Sequence, residues 1–215
     1  MTGPDFEPRT PAPPGITPSR RSFLLGLGAA CPLCLGALSA RAGSDGHEAP
    51  HWGYEGEGAP ESWGDLSAAN KVCSMGMEQT PIDLVGATRA TISPVDIGFT
   101  SAPATVVNNG HTIQVNVAGG GSVIEGTRYD LLQFHFHHPS EHLLAGRSFD
   151  LECHFVHKAA SGALAVVGVF MRPGLENAAL APVWQAMPAT AGGEAALGTA
   201  FDPSGLLPVD RGFFR

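Results

Sequence analysis

The stretch "LLQFHFHHPSEHLL", residues 131–144, decides the fold and contains four of the chain's nine histidines. Alternate side chains of a β-strand share a face. One face of this stretch is polar, with Gln133, His135 and His137. The opposite face is apolar, with Leu132, Phe134 and Phe136. The sequence therefore predicts a strand whose apolar face enters the core and whose histidines face a site on the other side.

A second stretch, "LECHFVH" at residues 151–157, has the same alternation. One face carries Glu152, His154 and Val156, and the other carries Cys153, Phe155 and His157. Two imidazoles from one strand and a third from its neighbour can occupy three corners of a tetrahedron and leave the fourth for water. Neutral imidazoles with one open position favour zinc. We predict a zinc ion held by His135, His137 and His154.

Each of the two strands also offers an acceptor for a ligand histidine. Gln133 precedes His135 by two residues, and Glu152 precedes His154 by two. A metal-bound imidazole needs its other ring nitrogen held by such a group, which fixes the tautomer and the ring orientation. An isolated His-x-His in a strand is more often a solvated polar face. The repetition of the pattern in the second strand favours a metal site.

The remaining composition predicts a mainly β domain. Glycine (28 residues) and proline (18 residues) are abundant, and the apolar runs after the N-terminus are short, which is typical of short strands joined by turns. Residues 111–117 alternate after the Asn-Asn-Gly turn at 108–110. The run "ALAVVGVFM" at 163–171 is apolar on both faces and is predicted to be a central strand. A short helix is predicted within "LENAALAPVWQAM", residues 175–187.

The first 42 residues have the features of an export signal. Residues 1–18 are rich in proline and are predicted to be disordered. Arg20 and Arg21 precede an apolar stretch that runs to Leu38, and residues 40–42 form an Ala-x-Ala cleavage site. This pattern predicts a twin-arginine signal; the alternative is an ordinary secretory signal. Both place residues 43–215 in the periplasm or outside the cell, with membrane contact only through the signal.

Charge and cysteine content limit the classes of partner. The net charge of −8 at pH 7 excludes the basic surface of a nucleic-acid-binding protein. Cys31 and Cys34 lie in the signal, so only Cys73 and Cys153 belong to the domain. These two either form a disulfide or leave Cys153 as a buried thiol. No feature of the sequence indicates an oligomeric state.

Motifs along most of the domain carry a family resemblance. Besides "QFHFHHPSEH" and "LECHFVH", they are "HWGY" (51–54), "SW" (62–63), "EQTPIDL" (78–84), "NNGHTIQV" (108–115), "LAVVGVFM" (164–171) and "LLP" (206–208). In this order they resemble the alpha-class carbonic anhydrases. The resemblance implies a large twisted, mostly antiparallel sheet with a few short helices, and a zinc ion at the foot of a conical cleft. It implies the reversible hydration of carbon dioxide to bicarbonate.

The resemblance also implies individual roles. The zinc ligands would be His135, His137 and His154, with Gln133 and Glu152 as their acceptors. His111 would carry the proton out of the cleft, and Glu141 would orient the attacking hydroxide through a threonine. Val156 and Val166 would form the apolar wall that receives carbon dioxide. The remaining matches would line the solvent network: Tyr54, Asn109 and Gln114. We interpret His138, His142 and His157 as structural.

The sequence departs from the family at its C-terminus. The family continues into a Thr-Thr-Pro-Pro-Cys segment, whereas this sequence stops at Arg215, so we expect an incomplete domain that is missing its C-terminal third. Glu141 would then lack its threonine, Cys73 would lack a disulfide partner, and central strands would expose unpaired edges. Two hypotheses follow: an exported zinc enzyme, or a truncated zinc-binding homologue without turnover. For the sequence as written we expect weak or no hydratase activity.

A cupin is the third interpretation. His135, His137 and Glu141 fit the H-x-H-x-x-x-E core of the first cupin motif. Gly126 and Gly146 flank it at the wrong spacing, and no second cupin motif follows residues 151–157. The sequence therefore favours the three-histidine site over the cupin arrangement.

Overall fold

The computed structural model describes residues 52–54 and 56–215. The predicted export segment, residues 1–42, lies outside the described residues, as does His51 of the "HWGY" motif. Within the described part, no helix is long and apolar enough to cross a membrane.

The described chain is mainly β, as the sequence predicts. Eight strands form one sheet: β1 (Val95–Phe99), β2 (Ala104–Asn108), β3 (Ile113–Val117), β4 (Gly120–Ile124), β5 (Thr127–His137), β6 (Leu151–Ala159), β7 (Leu164–Met171) and β8 (Glu194–Ala196). The α-helices are short: α1 (Val72–Met75) and α2 (Ala181–Ala186). Segments of 3₁₀ helix complete the secondary structure: Gly56–Gly58, Pro60–Asp65, Ala68–Asn70 and Pro203–Leu206. The helix predicted within residues 175–187 is confirmed as α2, in a shorter form.

Strand β5 organises the sheet because it is long enough to have three neighbours. Its first half pairs with β4, its second half pairs with β3 on the same edge, and β6 pairs along the other edge. The strand order is β1-β4-β5-β3-β2-β8, and β6 and β7 extend the sheet from β5. All of these pairings are antiparallel. Residues 131–137 therefore lie on the strand that joins the two halves of the sheet.

The core lies on the face of β5 that carries its phenylalanines. Phe134 packs against Phe155 of β6 with ring centroids 5.6 Å apart, and both rings are fully buried. Strict alternation predicts Leu132 on this face, and that prediction is wrong. The register shifts between Leu131 and Gln133, and such a bulge moves the residues before it to the opposite face. Leu131, only 1% exposed, takes the core position instead.

Strand β7 is not the central strand that its apolar sequence predicts. Within the described residues it pairs only with β6, and its side chains are half-buried or exposed. Val166 has 49% of its surface exposed. The sheet therefore has an apolar edge close to the histidine-bearing strands.

Candidate metal centre

Three histidines from two adjacent strands come together at the candidate site. His135 on β5 lies directly opposite His154 on β6, and His137 follows two residues later on the face that it shares with His135. All three side chains are buried. Each offers a ring nitrogen within 4.8 Å of the nitrogens of the other two. The sheet thus brings together the three predicted ligands.

The two predicted acceptors lie beside their histidines. Oε1 of Gln133 is 2.9 Å from Nδ1 of His135, which leaves Nε2 of that ring for another partner. Oε1 of Glu152 is 3.1 Å from Nε2 of His154. Both contacts follow from strand alternation, since acceptor and histidine are two residues apart on one face.

Two buried ring nitrogens have no hydrogen-bond partner among the described residues: Nε2 of His137 and Nε2 of His154. The second lies 3.1 Å from Glu152, its predicted acceptor, without the alignment of a hydrogen bond, so Nδ1 is the nitrogen of His154 that is left for a metal. A buried polar atom without a partner is costly unless a ligand satisfies it. The unpartnered Nε2 of His137, together with the buried rings of His135 and His154, makes a donor set that fits a zinc ion.

The surroundings keep the imidazoles neutral. Burial, followed by the neighbouring His154, lowers the pKa of His135 from 6.5 to about 4. Burial and the other histidines lower the pKa of His137 to about 3, against a smaller opposing effect of Glu152. A neutral ring keeps a lone pair available, which metal binding requires. Both groups are therefore ready to bind a cation at neutral pH.

His142 contacts the predicted acceptor Glu152, and the sequence did not predict this contact. Its Nδ1 lies 2.7 Å from Oε1 of Glu152, and Oε2 of that carboxylate accepts from the backbone N–H groups of Glu141 and His142 at 3.0 Å each. Burial acts to raise the pKa of Glu152, but the hydrogen bond from His142 and the nearby ring of His154 outweigh it and hold that pKa well below its usual range. The alternation of side chains along a strand could not predict this contact, because His142 lies in the loop after β5.

His142, Glu152 and His154 form a second combination of candidate ligands within 4.8 Å. Its carboxylate already accepts from His142 and from two backbone N–H groups. The three-histidine set fits a metal better, because Nε2 of His137 has no such partner among the described residues.

Glu141 and Tyr54 lie against the ligand histidines. The hydroxyl of Tyr54 donates to Oε1 of Glu141 at 2.5 Å and lies 2.9 Å from Nδ1 of His137. Oε1 of Glu141 is 3.3 Å from the same nitrogen, and its Oε2 is 3.8 Å from Nδ1 of His154. The predicted hydroxide-orienting residue and the predicted solvent-network residue are thus in contact with each other and with a predicted ligand.

A cavity open to solvent adjoins the site. The residues that line it include Tyr54, His111, His137 and Trp184 of α2. The ring of His111 stacks on Trp52, with centroids 4.0 Å apart and planes at 8°. The predicted proton carrier therefore shares a solvent-filled opening with a predicted ligand.

The other predicted site residues surround this arrangement. Oδ1 of Asn109 accepts from the backbone N–H groups of His111 and Thr112, so this side chain shapes the turn that carries His111. Gln114 is buried opposite His135, and its amide donates to Asn116 at 2.7 Å.

The two residues predicted to form an apolar wall, Val156 and Val166, lie opposite each other on adjacent strands. Val156 of β6 is buried, whereas its partner across the ladder, Val166 of β7, is half exposed. Val156 shares its face of β6 with Glu152 and His154, so the pair lies next to the histidines.

The remaining histidines and cysteines lie away from the ligand face. Nδ1 of His138 is 2.6 Å from the carbonyl of Asp150. His157 is fully buried between Ser122 and its own strand. Cys153 is a buried thiol in the core rather than half of a disulfide with Cys73.

Comparisons with known proteins agree with the motifs. The model of the family described as eukaryotic-type carbonic anhydrase matches residues 58–215. A carbonic anhydrase of Klebsiella pneumoniae is 43% identical over 170 residues, which cover 78% of this chain and 69% of that protein. These matches confirm the resemblance and set the cupin interpretation aside.

Solved structures show the same fold. The alpha-carbonic anhydrase of Thermovibrio ammonificans, in complex with the inhibitor sulfanilamide, aligns with a TM-score of 0.72 and 44% identity, covering 76% of this chain and 74% of that one. Dioscorin complexed with ascorbate aligns with a TM-score of 0.67 and 28% identity, covering 75% and 71%. The predicted fold, a large antiparallel sheet with few short helices, is confirmed.

Proposed function

The chain belongs to the alpha-class carbonic anhydrase family, and from that premise we propose that it hydrates carbon dioxide reversibly with a zinc ion held by His135, His137 and His154. The observation that carries the proposal is the convergence of three buried imidazole nitrogens within 4.8 Å. When bound, zinc in such a site lowers the pKa of a coordinated water to about 7.

The residues around the ligands prepare them for binding. Gln133 accepts from Nδ1 of His135, so that ring presents the lone pair of Nε2. Glu152 lies 3.1 Å from the ring of His154 and is itself held by His142 and two backbone N–H groups. These contacts restrict the rotation of the rings, which lowers the entropy lost when a metal binds.

Residues near the three histidines supply the other functions of the proposal. Val156 and Val166 lie side by side on β6 and β7 and present methyl groups to an apolar substrate such as carbon dioxide. His111 lies in the solvent-filled opening and accepts the proton that hydration releases; an imidazole suits this task because its ordinary pKa lies near neutral pH. Glu141 orients the attacking oxygen, and Tyr54, Asn109 and Gln114 order the water in the cavity.

A zinc-binding homologue without turnover is the second candidate. One observation favours it: Val166 of the proposed apolar wall is 49% exposed, on a strand that has β6 as its only partner within the described residues. Fold alone does not select between the candidates, because one fold hosts many functions. Both require the same three histidines.

Metal content and turnover, measured on one preparation, separate the two candidates. Elemental analysis of the purified chain is expected to give one zinc per molecule, lost in His135→Ala and His154→Ala. Stopped-flow hydration of carbon dioxide is expected to follow the zinc content. Bound zinc without hydration above the buffer rate would establish the non-catalytic homologue, and zinc retained by both variants would overturn the ligand assignment.

We also propose that the chain is exported through its twin arginines. Changing Arg20 and Arg21 to lysine keeps the charge but removes the guanidinium pair. The variant is expected to stay in the cytoplasmic fraction as the unprocessed precursor, whereas wild type is cleaved and recovered with the periplasmic fraction. Equal export of both would support an ordinary secretory signal.

A further inference from the structure

We propose that Tyr54 and Glu141 form a clamp on Nδ1 of His137, which makes both of them positioning residues for this metal ligand. The inference rests on the proposed zinc site and adds the group that holds its third histidine. It gives the two side chains a task in addition to the ordering of water and the orientation of the attacking oxygen proposed above.

The clamp gives His137 the hydrogen-bond acceptor that its own strand cannot supply. His135 and His154 each find a partner two residues earlier on their own strand. For His137 the corresponding position is His135, which is itself a predicted ligand. An acceptor for His137 must therefore come from another part of the chain.

The hydrogen-bond directions select one tautomer of His137. A carboxylate only accepts, so the single hydroxyl hydrogen of Tyr54 is donated to Glu141 at 2.5 Å. The phenolic oxygen, 2.9 Å from Nδ1 of His137, is then the acceptor of an N–H on that nitrogen. A proton on Nδ1 leaves the lone pair of the ring on Nε2. That atom is the buried nitrogen of His137 that has no partner in the described part of the chain.

Aromatic packing holds Tyr54 in place. Its ring makes edge-on contacts with Trp52 and Trp63 at centroid distances of 6.0 and 5.8 Å. The indole of Trp63 donates to the carbonyls of Gly53 and Gly58, which ties down the segment on both sides of Tyr54. The phenol is therefore fixed before a metal arrives, as an orienting group must be.

The test measures zinc affinity instead of turnover. Tyr54→Phe removes the hydroxyl and keeps the ring, and Glu141→Gln keeps the shape and removes the charge. Competition with a chromophoric chelator is expected to show zinc binding weakened about 10- to 100-fold in each variant. The absorption spectrum of the cobalt-substituted protein is expected to change, because the imidazole of His137 can rotate. The double variant is expected to be little weaker than either single one, since both belong to one unit.

Tyr129→Phe is the matched control, because Tyr129 is the other tyrosine of the chain and lies on β5 away from the ligands. Its zinc affinity is expected to equal that of wild type. Wild-type affinity and an unchanged cobalt spectrum in both Tyr54→Phe and Glu141→Gln would overturn the clamp. Tight zinc binding without hydration in wild type would overturn only the proposed catalysis, whereas a wild type that binds no zinc would overturn both.

Discussion

Gly168 of β7 lies directly opposite His154 of β6 in the antiparallel ladder. A Cβ atom at this glycine would be 2.6 Å from Oε1 of Glu152 and 3.5 Å from Cδ2 of His154. The space that a side chain would fill is occupied by the carboxylate that faces the ligand histidine. Glycine at position 168 is therefore needed to leave room for Glu152 beside His154.

Gly168→Ala is expected to weaken zinc binding, because the new methyl group must displace Glu152 from His154. That carboxylate cannot retreat freely, since it also binds His142 and two backbone N–H groups. We expect zinc affinity to fall by about 10-fold or more and the free energy of unfolding to fall by about 1–3 kcal/mol. Chelator competition and urea unfolding measure the two effects.

Gly98→Ala is the matched control for this prediction. Gly98 is also a strand glycine, on β1, and a Cβ there would meet nothing within 4 Å. Its zinc affinity is expected to remain that of wild type. Equal effects of the two substitutions would show that Gly168 matters to the sheet in general and not to the metal centre.

Strand alternation explains why so much of the site could be predicted from the sequence. Ligands and acceptors that lie on one face of one strand, such as Gln133 with His135, follow from a period of two residues. Their meeting across β5 and β6 requires only that the two histidine strands pair. The core phenylalanines of β5 follow from the same period.

The errors arise where the backbone breaks that period or where the contact is not local. The bulge between Leu131 and Gln133 places Leu131 in the core instead of Leu132. His142 reaches Glu152 from a loop, and Tyr54 reaches His137 over 83 residues of sequence. Such contacts depend on the tertiary path of the chain, which hydrophobic periodicity does not encode.

His142→Phe is expected to destabilise the protein through Glu152. The substitution keeps a ring in the loop but removes the donor that lies 2.7 Å from a nearly inaccessible carboxylate. A buried acceptor that loses a partner costs about 1–3 kcal/mol, and urea unfolding measures the loss. His138→Phe is the control, since that side chain is exposed and contacts only the carbonyl of Asp150 among the hydrogen bonds described. Equal stability of the two variants would contradict a supporting role for His142.

Acid is expected to destabilise the metal-free protein through His135. Its pKa is 6.5 when unfolded and about 4 when folded, so the unfolded state binds the proton first as the pH falls. The stability that depends on the neutral ring is complete above pH 6.5 and is lost progressively between pH 6.5 and about 4. Below that window both states are protonated, and this contribution is constant.

Urea unfolding across this pH range, with a chelator present, measures the effect. His135→Gln removes one titrating group, so the slope of unfolding free energy against pH is expected to fall by up to about 1.4 kcal/mol per pH unit. Ser161→Ala, in the exposed turn after β6, adds or removes no titrating group and is expected to keep the wild-type slope. An unchanged slope in His135→Gln would mean that the ring titrates alike in the folded and unfolded states, so that folding does not lower its pKa.

His111→Ala is expected to separate proton transfer from the chemical step in the zinc-loaded protein. His111 lies at the open cavity, stacked on Trp52, and it is not one of the candidate ligands. We expect kcat to fall on the order of 100-fold, toward the lower end of general acid–base effects, with kcat/KM nearly unchanged. Added imidazole buffer should restore kcat, because a free base then carries the proton. His138→Ala changes another histidine of the same cavity and should leave kcat unaltered. A fall in kcat/KM without rescue by imidazole would assign His111 to the structure of the site instead of to proton release.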